Sequence, residues 1–220
     1  MNIDVFRDKL SSQLGENLKC LVHMGSRVRG EARVDSDYDF ALIVHNINRE
    51  VLDDIRDALS DYQNVSVYIV EEQELRRLPK ALCATNLQFI YSRVIYGECD
   101  FPKPSAEDID TYVGIMRSDE IFTIRHYLTL PHDSSRLAEI ISIRLKIVYF
   151  CLTYLIYKET GVLPRTRLEA IDYLKKKGSQ RLGIALLEVF ENWSTLKTSA
   201  AERAREYLHM LEEFWRTLET

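Results

Sequence analysis

The sequence predicts an α/β (α+β) domain followed by an all-α helical bundle. Three observations carry that reading. The first hundred residues alternate short apolar, β-branched runs with amphipathic segments. Two prolines close together, Pro102 and Pro104, then interrupt the chain. Beyond them the spacing of apolar residues is helical almost throughout. The boundaries drawn are 1–100 for the first domain and 105–220 for the second.

The elements follow in order. Residues 4–14 read as an amphipathic helix, with Val5, Leu10 and Leu14 on one side and Gly15 ending it. Residues 20–24 are a short strand that runs into Gly25-Ser26, and a polar, glycine-containing stretch occupies 27–36. Residues 38–44 (YDFALIV) form a second strand, apolar enough at its end to be central and buried. A helix over 48–59 leads to a third strand over 65–70 (VSVYIV). A short helix over 71–78 stops at Pro79, a further helix is placed at 86–92, and a short strand at 93–96. In the second half, Ser105 and Asp108 hold the places of a capping box. The longest periodic run starts at Asp133 or Ser134 and reaches Glu159, with Leu137, Ile140, Ile141, Ile143, Ile147, Val148 and Cys151 as its apolar positions and Gly161 as its stop. Helices at 167–177, 179–193 and 199–218 complete the bundle.

Composition sets limits on function. The chain has 220 residues, 46% hydrophobic and 29% charged, the balance of a globular protein. A net charge of −5 gives no basic balance of the kind that general nucleic-acid binding needs, and none is expected. The cysteines, Cys20, Cys83, Cys99 and Cys151, show no CxxC pair and no metal-ligand spacing. Cys20 and Cys151 read as small core residues. The N-terminus has no cationic start before an apolar core, so no signal peptide is expected. The apolar run at 147–156 falls short of the roughly 20 residues that cross a bilayer, so no membrane is expected either. The protein is expected in the cytoplasm with reduced thiols.

The chemistry-bearing segment runs from Met24 to Phe40. Gly25 ends a strand, and without a Cβ its backbone can approach a phosphate closely. Ser26 adds a hydroxyl beside backbone N–H groups suited to a phosphate. Asp37 and Asp39 are two apart at a strand entrance, so they point to one face with Cα atoms about 7 Å apart. Two such carboxylates suit Mg²⁺, which takes hard oxygen ligands and usually substrate phosphates as well. Gly-Ser alone is a common turn, and Asp-x-Asp alone is a common solvated strand entrance. It is the combination, strand before and apolar strand after, that points to phosphate chemistry. Arg27, Arg29 and Arg33 between the two halves either neutralise a triphosphate or are solvated loop residues.

Gly25-Ser26 and Asp37-Tyr38-Asp39 make the segment resemble the nucleotidyltransferase superfamily of DNA polymerase β and kanamycin nucleotidyltransferase. The family's signature is a Gly-Ser pair, a loop of about ten residues and Asp-x-Asp on the next strand. The resemblance spans roughly the first third of the chain and implies a nucleotidyltransferase domain with a mixed sheet. It also implies a nucleoside triphosphate on Gly25, Ser26, Arg27 and Arg33, and Mg²⁺ on Asp37 and Asp39. The reaction implied is transfer of AMP from ATP to a hydroxyl of an unspecified small-molecule or protein acceptor. The family places a third carboxylate on the next strand, where this chain has Ser66. Glu71 and Glu72 at the strand's end are the alternatives, Glu71 being the catalytic candidate. Both also suit an acidic first turn of a helix. A second reading stays open: a nucleotide-binding or partner-binding protein that kept the fold without turnover.

The segment 159–170 resembles a loop of HEPN-type helical bundles, with Arg167 where those bundles have His. HEPN ribonucleases need a His four to six residues beyond an Arg. After Arg144 no His stands at those places, so ribonuclease activity is not expected. The bundle is expected to hold the acceptor. His23 is expected as a satisfied core residue.

Overall fold

The computed structural model describes residues 1–32, 34, 36–77, 91–129, 131, 133–178 and 180–218. The chain divides into two compact units, Met1–Pro104 and Ser105–Thr220.

The first unit is a sheet with helices packed on it. Helix α1 (Ile3–Leu14) starts where the Asn2 side chain accepts from the N–H groups of Asp4 and Val5. It buries Phe6, Leu10 and Leu14, one residue per turn along a single stripe. Val5, expected on that stripe, is exposed. Strand β1 (Leu18–Met24) leads to α2 (Ser26–Arg29), and β2 (Tyr38–Val44) to α3 (Arg49–Leu59), which Asn48 caps. Strand β3 (Val65–Glu71), α4 (Glu72–Arg77) and β4 (Arg93–Gly97) complete the unit. The segment expected as open loop from residue 27 thus begins with a helical turn. The helix expected at 86–92 falls largely on residues outside those described.

The sheet order is β3-β2-β1-β4. Strand β1 is antiparallel to β2 and to β4, whereas β2 and β3 are parallel, so the sheet is mixed. Alternation along the strands gives it two faces. Phe40, Leu42 and Val44 face Phe6, Leu10 and Ile55 of the helices. Cys20, Val22, Met24, Ala41 and Ile43 lie on the other face with Val70 and Leu75. Each fully buried side chain of this kind contributes about 1.5–3 kcal/mol, which is what holds β1 and β2 in register at the end where the motif residues lie.

The second unit is helical. Ser105 and Asp108 form the expected capping box: the Asp108 carboxylate accepts from the Ser105 N–H at 2.9 Å, and the Asp108 N–H donates to the Ser105 hydroxyl at 3.1 Å. That box starts α5 (Ala106–Thr129). Helix α6 (Ser134–Thr160) runs from an Asp133 cap to Gly161, whose left-handed conformation (φ 71°) ends it. Ile143 is exposed on α6 although the periodicity placed it inside, while Leu145, Tyr149 and Leu152 are buried. The stretch Ser135–Thr160 is long and apolar enough to cross a membrane by length and composition, which the shorter run at 147–156 had not suggested. Its most apolar window is 56% buried within the structure.

Helices α7 (Arg167–Lys177), α8 (Arg181–Glu191), α9 (Trp193–Glu202) and α10 (Ala204–Thr217) follow. The helix expected over 199–218 is therefore broken at Arg203, and Trp193 opens a helix instead of closing one. Neither break has Gly or Pro. Asn192 leaves helical geometry (φ −93°, ψ 8°) with its amide bonded back to the Glu188 carbonyl at 2.9 Å. Arg203 does so at φ −103°, ψ 11°, its guanidinium on Glu206.

Candidate active site

Strand β1 ends at Met24, which pairs with Asp39 on β2. The chain then turns through Gly25 at φ 81°, ψ −163°, a region essentially closed to residues with a Cβ. A Cβ at Gly25 would lie 2.0 Å from Asp39 Oδ2 and 2.8 Å from its Cγ. The Asp39 carboxylate therefore lies against the bare backbone of Gly25, and the two halves of the motif meet there. Ser26 opens the single helical turn α2, whose first N–H groups helix geometry leaves without intrahelical partners. Gly30 closes that turn in the left-handed region (φ 76°), and the Glu31 N–H donates back to the Ser26 carbonyl at 2.9 Å.

Asp39 shares a sheet face with Ala41 and Ile43 by strand alternation and is half-buried, while Asp37, just before β2, is exposed. Ser66 on β3 stands opposite Asp39. It occupies the register position at which the family's third carboxylate was expected. Glu71 does not substitute. It pairs with Val44, five residues further along β2, which is about 17 Å by strand rise. Alternation also puts it on the opposite face from Ser66. Its N–H donates to the Glu74 carboxylate at 2.9 Å, and Glu72 is bonded to His45 Nδ1 at 2.9 Å. Glu71 thus ends β3 and Glu72 begins α4, and the catalytic role expected for Glu71 does not fit this register. Among the described residues no group of three His, Cys, Asp or Glu side chains is arranged to hold a metal ion. The undescribed stretch 78–90 contains no Asp or Glu.

Of the three loop arginines, Arg27 donates through Nη2 to the Ser36 carbonyl at 2.6 Å and through Nε to the Asp37 carbonyl at 3.2 Å. Its guanidinium also lies over the Tyr38 ring, 4.0 Å from the centroid. It ties the start of the loop to its end and fixes the backbone of the first acid. Arg29 pairs with Glu31 at 3.1 Å, both side chains being largely buried. Arg33 lies outside the described residues.

Beneath the loop is a stack that the motif did not reveal. The His23 ring stacks on Phe40 at 5.0 Å and on Tyr38 at 6.1 Å, tilted by 25° and 24°. His23 is 7% exposed, and its Nε2 has no hydrogen-bond partner among the described residues, contrary to the satisfied core residue expected. Burial, reinforced by the charges of Arg27 and Arg93, pushes its pKa down, so the ring is held neutral. Tyr38, the middle residue of Asp-x-Asp, is the platform joining this stack to Arg27.

In the helical unit Arg144 is bound to the buried Glu120 carboxylate. Arg167 pairs with Glu191 at 2.8 Å and lies over Phe190. Both arginines of the HEPN-like wording are packed as structural groups.

Neither a protein-family profile nor a curated protein sequence matches the chain. Among solved structures it is similar to spectinomycin adenyltransferase AAD(9) from Enterococcus faecialis, whose crystal structure holds ATP and spectinomycin. The TM-score is 0.59 at 13% identity, with 98% of each chain covered. The likeness is one of fold: a mixed sheet followed by a helical region, along the full length of both chains.

Proposed function

We propose that the chain is a nucleotidyltransferase that moves AMP from ATP to a hydroxyl of an acceptor molecule. The observation that carries the proposal is the contact of the Asp39 carboxylate with the bare backbone of Gly25. It puts a phosphate turn and an acidic strand entrance at one point, on a fold shared with an adenyltransferase crystallised with ATP. That neighbour's second ligand, spectinomycin, supports a small-molecule acceptor, and residues 105–220 are assigned to bind it.

Each residue has a defined task. Gly25 lets the triphosphate approach the backbone. The Ser26 hydroxyl and the N–H groups of the turn donate to phosphate oxygens. Arg27 holds Ser36 and Asp37 in place through their carbonyls, so the acids enter β2 in a fixed orientation. Asp37 and Asp39 form a donor set that fits Mg²⁺, since that ion is commonly bound by one or two carboxylates plus substrate phosphates. There it would neutralise phosphate charge. In the transfer, the acceptor oxygen bonds to the α-phosphorus and the bond to the pyrophosphate oxygen breaks. Catalysis is mainly positioning and charge stabilisation.

A second reading, nucleotide binding without turnover, is favoured by Ser66 opposite Asp39. Without a carboxylate there, the acceptor hydroxyl loses a base, an effect of roughly 10²–10⁴-fold. The experiment follows label from α-labelled ATP into candidate acceptors, alongside calorimetric titration of ATP with and without Mg²⁺. Transfer that Asp39→Ala abolishes supports the enzyme. Binding without transfer, converted to transfer by Ser66→Asp, supports the second reading. No Mg²⁺-dependent ATP affinity, or affinity that survives both Asp37→Ala and Asp39→Ala, refutes both.

A further inference from the structure

We propose that Cys20 and Cys99 are a redox pair that closes a reversible disulfide across the β1–β4 edge when a hydroperoxide oxidises Cys99. The pair is independent of the nucleotide chemistry. It lies toward the other end of β1, five residues before Gly25.

Backbone geometry brings the two thiols together. Cys20 is fully buried on β1 and pairs in register with Gly97, the last residue of β4. Gly97 has φ 67°, and a Cβ there would lie 2.1 Å from the Lys19 carbonyl oxygen. Only glycine lets the chain press so closely on β1 at this point. Two residues later Cys99, half-buried, packs against the cluster that contains Cys20. The two cysteines are near enough for each to shift the other's ionisation. Neither cysteine is in a disulfide.

The environment divides the roles. The interaction with Cys20 pushes the Cys99 pKa down, while the interaction with Cys99 and burial push Cys20 up. Cys99 is thus the more exposed and more readily ionised sulfur, the one suited to attack. Its thiolate attacks one oxygen of the hydroperoxide, the O–O bond breaks, and an alcohol leaves with one proton. The product is a Cys99 sulfenic acid. The Cys20 sulfur then attacks Cys99, the S–S bond forms, the S–O bond breaks, and water leaves with the Cys20 proton. Two thiols are oxidised, and one hydroperoxide is reduced to alcohol and water. The bond fastens residue 99, where the chain leaves the edge strand β4 for the segment ending at Pro104, to the interior strand β1.

The test uses the full chain, treated with hydrogen peroxide and mapped by mass spectrometry without reduction. The free-thiol count should fall from four to two. One new peptide should join Cys20 to Cys99, and dithiothreitol should restore both thiols. Cys99→Ser should abolish the cross-link, and Cys20→Ser should leave Cys99 as a sulfenic acid trapped by dimedone. A count that stays at four overturns the proposal. So does over-oxidation of Cys99 without a cross-link, or a cross-link from Cys99 to Cys83 or Cys151. The map of the unsubstituted protein decides these outcomes without any variant.

Discussion

Replacing Gly25 with alanine tests the contact on which the site rests, and two separate costs follow from the geometry. The first is conformational. Gly25 sits at φ 81°, ψ −163°, where a residue with a Cβ is strained by about 1–3 kcal/mol. The second is steric. The new methyl would lie 2.0 Å from Asp39 Oδ2, 2.8 Å from Cγ and 2.9 Å from Cβ, so the carboxylate must move. Gly25→Ala should therefore lower the urea midpoint of the first unit. It should also weaken Mg²⁺-ATP binding at least tenfold, about 1.4 kcal/mol. The costs separate in a double-mutant cycle. Asp39→Ala removes the Oδ2 and Cγ overlaps and leaves only the 2.9 Å contact with Cβ, which a shift of a few tenths of an ångström relieves. The conformational cost stays in both backgrounds. Gly25→Ala should then be less destabilising beside Asp39→Ala than alone, with a coupling of about 0.5–3 kcal/mol. The assays are urea unfolding followed by circular dichroism and calorimetric titration of ATP. Additive costs with zero coupling would refute the contact, and an unchanged urea midpoint in Gly25→Ala would refute the backbone conformation.

The other expected outcomes concern the groups around that contact. Arg27→Lys should weaken ATP binding nearly as much as Arg27→Ala, because lysine cannot both bridge the Ser36 and Asp37 carbonyls and stack on Tyr38; calorimetry on both variants decides. His23 has a folded pKa below its usual 6.5, so its contribution to stability is present above that value and is lost as pH falls through the lower folded pKa. His23→Phe keeps the stack and removes the titrating ring, so unfolding midpoints measured from pH 7 downward should show a smaller acid-side loss than in the parent. Arg144→Ala leaves Glu120 buried with a missing partner and should cost the helical unit about 3–5 kcal/mol in denaturant unfolding. Arg144→Ala combined with Glu120→Leu should recover most of it.

The strands and most helices were legible because their signals are local. An all-apolar run such as YDFALIV admits few other placements, and Asn48, Ser105, Asp133 and Gly161 mark helix ends with side chains or backbone freedom suited to that task. The breaks at Asn192 and Arg203 were not legible. No residue there forbids a continuing helix, and side-chain bonds to Glu188 and Glu206 accompany the two breaks. Ile143 was misplaced for a related reason: a helix as apolar as α6 has more hydrophobic positions than its neighbours can cover. The approach of Gly25 to Asp39 could be read because spacing on a strand–turn–strand unit brings those two positions together. The stack of Arg27, Tyr38, His23 and Phe40 could not, since it depends on which strands are neighbours. One signal was present in retrospect: His23 and Phe40 lie next to the two motif halves on strands that must pair if those halves are to meet.

Register is also what separates the two functional readings. From the sequence, Ser66 and Glu71 both sat near the third-acid position, and a glutamate reaching in from a strand end was a reasonable substitute. The parallel pairing of β2 with β3 removes that freedom. Once Tyr38 pairs with Val65, Asp39 must face Ser66 and Glu71 must face Val44. A glutamate side chain spans a few ångströms, far less than the five residues of strand between those positions, about 17 Å. A shift of the register by one residue would not rescue Glu71 either, because it would turn the apolar face of β3 to solvent. Val65, Val67 and Ile69 pack on the α1–α3 core, and their burial holds Ser66 where it is. Any base for the acceptor hydroxyl must therefore come from the acceptor, from Asp37 or Asp39, or from a group other than Glu71. The Ser66→Asp variant addresses that point directly, because the same register that excludes Glu71 places residue 66 beside Asp39.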